Sequence, residues 1–214
     1  MKSINPSSPT LKFAIALGAI GALGPSAVDM YLPSLPEMAL EYSASVASIQ
    51  LTLTVFLLAM GLGQLLFGPV VDAWGRRRPL IAGLVLFSLS ALVAGAAPTL
   101  DWLLLARFVQ GLGSALTLVV IMSMVRDVTQ GVQAAKLFGL LMTIEGVAPI
   151  IAPALGGYID AHFGWRAVMV VLAALGALVA MKCAATTSRS CWPAAWATSV
   201  KNTSRKARSW SAPS

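Results

Sequence analysis

The chain reads as six long apolar stretches separated by polar breaks. The stretches cover residues 13–32, 47–71, 79–97, 102–125, 135–159 and 165–184. Each approaches or exceeds the ~20 residues that a helix needs to cross ~30 Å of hydrocarbon. The pattern predicts an all-α integral membrane protein with a six-helix transmembrane bundle. Residues 1–12 precede the bundle, 13–184 form it, and 185–214 make a basic tail. Short breaks at 72–78 and 126–134 predict antiparallel neighbours. The break at 33–46 is longer and holds Pro33, Pro36, Glu37 and Glu41. Crossings one to three and four to six are expected to form two inverted three-helix repeats.

Charge gives the bundle a direction. Lys2, Lys12, Arg76, Arg77, Arg78, Arg126, Lys136 and Lys182 fall on one side. Glu37, Glu41, Asp101, Asp160 and Arg166 fall on the other. The excess of Lys and Arg in cytoplasmic segments then predicts that both termini are cytoplasmic. Trp102, Trp165, Tyr31 and Tyr158 come near the outer ends, where aromatic rings are expected to anchor at the lipid interface. Lys2 and Lys12 before an apolar run imitate a signal peptide. More crossings follow without a small-residue cleavage site, so the first span is expected to stay as an anchor.

Composition narrows the class further. The chain is 57% hydrophobic and 11% charged, against about 25% charged in soluble domains, so the lipid bilayer is its expected solvent. The net charge of +7 flanks apolar spans and does not predict a nucleic-acid partner. Nothing predicts an enzyme. The single histidine, His162, is expected in an outer loop. Cys183 and Cys191 lack metal or redox spacing, and no Ser/His/Asp set stands out. There is also no Gly-Lys-Ser/Thr loop for a nucleotide phosphate.

Three ionisable residues lie inside the spans: Asp29, Arg107 and Glu145. An Arg near the centre of a lipid-facing helix costs about 2.5–3.5 kcal/mol on insertion scales, so Arg107 is expected to face a protein interior. Gln110, Gly111 and Ser114 follow at helical spacing and share its face. Asp29 and Arg107 are at similar depth from the outer end, so an ion pair between them is expected. Glu145 falls near the midplane of the fifth crossing and is expected to bind and release a proton. Gly61, Gln64 and Gly68 share one face of the second helix. That face is expected to pack first, with Gln64 bonding across helices, and to line a cavity second.

The link running through Gly68, Asp72, Gly75, Arg76, Arg77 and Arg78 resembles the signature loop of the major facilitator superfamily. Asp72 is expected just before the third helix, where the helix dipole favours an acid. Ala73 stands where a basic residue is usual. The run Arg107-Phe-Val-Gln110-Gly111-Leu-Gly113 resembles the fourth-helix motif of the same superfamily, whose arginine is implicated in proton coupling. Gly139, Gly146, Pro149, Ala152, Pro153, Gly156 and Gly157 resemble its fifth-helix antiporter motif. Small residues there are expected to allow close helix contact, and proline to bend the helix.

Residues 29–36, 50–54 and 63–69 look like the Bcr/CflA group of multidrug exporters, which is similar to chloramphenicol and bicyclomycin resistance proteins. The resemblance implies efflux of small hydrophobic or cationic drugs across the bacterial inner membrane. It also implies coupling to protons, with the proton gradient as energy source and no cofactor. Asp29 and Arg107 carry over as coupling and binding residues, while Glu145 rests on its chemistry alone. The superfamily fold has two six-helix halves around a central site, and this sequence supplies one. The implied partner is the missing C-terminal half or a second copy in a homodimer. The alternative is an inactive truncated membrane protein. The abrupt change of composition after Met181 reads as the product of a frameshift or premature stop.

Overall fold

The first crossing is not one helix. In the computed structural model, which describes the backbone of residues 11–128 and 132–185 and the side chains of 15–127 and 135–185, it is built in pieces. Helix α1 (Leu11–Gly21) gives way to α2 (Leu23–Asp29) at Ala22. Pro25 causes the step: it has no N–H to give the Gly21 carbonyl four residues back. After a 3₁₀ turn (Leu32–Ser34) comes α3 (Leu35–Glu41). Pro36 sits in its first turn, where a missing N–H is tolerated. The stretch expected as a link from residue 33 is therefore largely helical.

The remaining crossings are α4 (Val46–Trp74), α5 (Arg77–Gly95), α6 (Leu100–Val128), α7 (Val132–Phe163) and α8 (Trp165–Ala185). The Ser45 hydroxyl caps α4 by accepting from the Ser48 N–H at 3.1 Å. Both α4 and α7 outrun their apolar stretches, because hydropathy marks the hydrocarbon and not the helix end. His162 consequently lies in the last turn of α7 and not in a loop. Helix α7 runs on through Pro149 and Pro153. Residues 1–10 and all of the basic tail beyond Ala185 lie outside the described residues.

The crossings pack in an inverted-repeat pattern. Helix α6 lies against α4 and α5, α5 against α8, and α7 against α1 and α2. Exchanging the first three crossings with the last three maps the α4–α6 contact onto α7–α1. It maps the α5–α8 contact onto itself. The fourth crossing is the best covered, while the second and fifth are mostly uncovered.

At the basic end, Gly75 joins α4 to α5 with φ 76° and ψ 173°, a backbone region that is essentially glycine's alone. Asp72 does not stand before α5 as expected but lies in the last turn of α4. From there it accepts from Arg76 Nη1 at 2.6 Å. Arg76 Nε donates to Asp127 of α6 at 3.0 Å, and Arg76 Nη1 also reaches the Val71 carbonyl at 2.9 Å. Burial works against its charge, yet the Asp127 and Asp72 carboxylates hold its pKa above the ordinary guanidinium value. Arg77 donates to the Ala184 carbonyl at 3.0 Å, tying α5 to the end of α8. Gly75→Ala is expected to lower stability by about 1–3 kcal/mol, read as a lower melting temperature in detergent.

Candidate functional site

Arg107 is wholly buried in the middle of the bundle. Its guanidinium lies between two aromatic faces, 4.6 Å from the ring centre of Tyr31 and 4.6 Å from that of Phe56. Nη1 donates to Gln110 Oε1 at 2.8 Å, and Nη2 donates to the Ala27 carbonyl at 3.1 Å. Three crossings therefore meet on one cation. The aromatic faces and the two acceptors replace water around it. Nε of Arg107 and Nε2 of Gln110 are buried without a partner among the described residues.

The surroundings hold this arrangement in place. Tyr31 Oη lies 3.0 Å from Thr52 Oγ1, and Thr52 donates its own proton to the Ile49 carbonyl at 2.6 Å. Tyr31 is thus the donor in its bond to Thr52. Gly111, one residue beyond Gln110, presses against the Phe56 backbone of α4, where a Cβ would collide. Ser114 packs against Gly24 and Met60. The face of Arg107, Gln110, Gly111 and Ser114 is buried as one unit, as their spacing predicted.

Several expectations need correction. Asp29 and Arg107 form no ion pair. The acceptor that α2 offers is the Ala27 carbonyl, and Asp29 lies two residues further on, about 200° around the helix axis. Asp29 is half-buried, and its carboxylate makes no hydrogen bond among the described residues. Tyr31 and Trp165 are not interfacial anchors, being 0% and 1% exposed. Trp165 Nε1 donates to Glu41 Oε2 at 2.5 Å, and Arg166 pairs with Glu41 Oε1 at 2.5 Å while lying over the Trp165 ring. That cluster fastens α3 to the start of α8. Trp102 and Tyr158 are exposed, at 54% and 62%.

The second-helix face of Gly61, Gln64 and Gly68 does not pack. Gln64 is exposed, and Gly61 and Gly68 have open space beside them. Gly63 makes the close contact instead, with Ala115 and Leu112 of α6. The fifth-helix motif divides in the same way. Gly139 and Gly146 face open space, while Gly156 presses on the Met30 backbone and Gly157 lies against Pro33. Pro149 is exposed and Pro153 is half-buried.

Glu145 lies in the seam between α7 and α1. Its carboxyl Oε1 is buried against Gly21 without a hydrogen-bond partner among the described residues, and the neighbouring Ile144 fills the space beside Gly18. Sequence reasoning missed Tyr31, Phe56 and Thr52. The available signal was the preference of a desolvated guanidinium for aromatic faces, but only the helix crossing shows which rings come within reach.

Among the described residues, six apolar helices of membrane-crossing length around a buried, hydrogen-bonded cation define a multi-pass membrane protein. Residues 17–197 match the Major Facilitator Superfamily, and the chain belongs to that family. It is similar to an uncharacterized MFS-type transporter, YdgK, of Bacillus subtilis, with 43% identity over 80% of this chain and 43% of the relative. It is similar to a bicyclomycin resistance protein homolog of Haemophilus influenzae, with 35% identity over 83% of this chain and 44% of that protein. It is also similar to a multidrug resistance protein, MdtL, of Shewanella oneidensis, with 34% identity over 74% of this chain and 40% of that protein. The chain spans less than half the length of these relatives.

Proposed function

We propose that this bundle is one half of a proton-coupled exporter of small hydrophobic or cationic drugs in the bacterial inner membrane. It would act together with a second six-helix half, supplied by another chain or by a second copy. The observation that carries this reading is the buried Arg107, a costly charge held at the meeting point of three crossings. A cation maintained at that cost is a sign of function by default in a membrane interior. The names of the bicyclomycin and multidrug resistance relatives supply the substrate class. Asp29, near this cluster in the chain and free of a fixed partner, is the carboxylate proposed to couple protons or to meet a cationic drug. The proton gradient, with no cofactor, would drive the cycle, and the basic end would face the cytoplasm.

A second reading is an inactive half-bundle with no transport of its own. The largely uncovered α4 and α7 favour it, since nothing among the described residues shields those faces. Expression in a drug-sensitive bacterium separates the two. An exporter lowers drug accumulation, a protonophore abolishes the effect, and Asp29→Asn reduces it at least ~10-fold. Accumulation equal to that of empty-vector cells supports the inactive reading.

A further inference from the structure

Glu145 is a half-buried acid, with one carboxyl oxygen fully covered, that the Arg107 cluster does not use. Its Oε1 fits against Gly21 only because that residue lacks a Cβ. Gly21 is also the residue whose carbonyl loses its helical donor to Pro25, at the break between α1 and α2. The seam therefore sets the carboxyl beside the break in the first crossing. Across it, α1 presents Gly18 and Gly21, and among its described side chains, from residue 15 on, there is no titratable group. Asp29 of α2, Arg107 of α6 and Arg166 of α8 make no ion pair or hydrogen bond with Glu145. The other charges of α6, α7 and α8 lie toward the ends of those helices. A protonated carboxyl brings an O–H to such a niche, whereas a carboxylate finds neither a donor nor a cation at the buried oxygen.

We propose that Glu145 is a proton-carrying group of this protein and that Gly21 is the positioning residue that seats it. The protonated acid rests in the α1–α7 seam. On losing its proton, the carboxylate leaves the niche for a more polar position or a cationic ligand, and it returns when a proton binds. This rests on the exporter reading above. It adds that the proton sits at the break in the first crossing, on a fifth-crossing residue.

The test uses dicyclohexylcarbodiimide, which modifies protonated carboxyls in apolar surroundings. The full chain in membranes is treated across a pH series, and modified residues are located by mass spectrometry. Glu145 is expected to be modified at acidic pH and progressively less as pH rises. Asp29→Asn should leave this modification unchanged, and Glu145→Gln should remove it. Gly21→Ala, which drives the carboxyl from its niche, should cut modification at neutral pH at least ~5-fold. An unmodified Glu145 in the unaltered chain, or modification independent of pH, overturns the proposal without requiring any variant to fold. Modification of Glu145 in a chain that exports no drug would sink the exporter reading and leave the proton site standing.

Discussion

Arg107→Ala is expected to destabilise the bundle by about 3–5 kcal/mol, the range for breaking a buried charged network. The substitution empties a site shared by α2, α4 and α6. It strips the Ala27 carbonyl and Gln110 Oε1 of their donor and leaves Tyr31 and Phe56 facing a void. The cavity and the orphaned acceptors act in the same direction. Arg107→Lys keeps the charge but should recover less than half of the loss. An ammonium cannot lie flat between two rings while donating in two fixed directions. Denaturant or thermal unfolding of the purified chain in detergent checks both variants. An alanine variant that melts with the unaltered chain would mean that the guanidinium is not what joins these crossings.

The second large effect is expected at Gly156. A Cβ there meets the backbone of Met30, at the outer end of the first crossing. Backbone cannot swing aside as a long side chain can, so α7 must move away from α2. Gly156→Val should cost about 3 kcal/mol, the upper end for overpacking. Gly146 belongs to the same sequence motif but has open space beside it. Gly146→Ala should therefore stay within about 0.5 kcal/mol of the unaltered chain. The same unfolding measurement reads both. Equal effects would show that the motif's glycines act through a common helix property and not through the Met30 contact.

These two residues show what patterns along the chain can reveal. The interior position of Arg107 was legible, because a guanidinium in an apolar run has few tolerable settings and its polar neighbours recur at helical spacing. Its partner was not. Equal depth suggested Asp29, but ion pairing depends on azimuth as well as depth. The rotation of α2 turns a carbonyl, not that carboxylate, toward the guanidinium. The glycines of the fifth helix likewise looked equivalent, until the crossing with α2 pressed one against backbone and left another in the open. Gln64 misled for a related reason: small and polar residues mark a face as special, but not which neighbour it meets.

The six crossings, their alternating direction and the loop joining the second to the third are all local consequences. Apolar length, flanking charge and glycine-proline punctuation act within a few turns of helix, so the order of residues alone determined them. The aromatic clasp on Arg107, the seat of Glu145 against Gly21 and the fastening of Glu41 to Trp165 and Arg166 join residues from 51 to 125 positions apart. Only the packing of the crossings decided those, because a contact between distant helices depends on their rotation and closeness, which no run of neighbouring residues specifies.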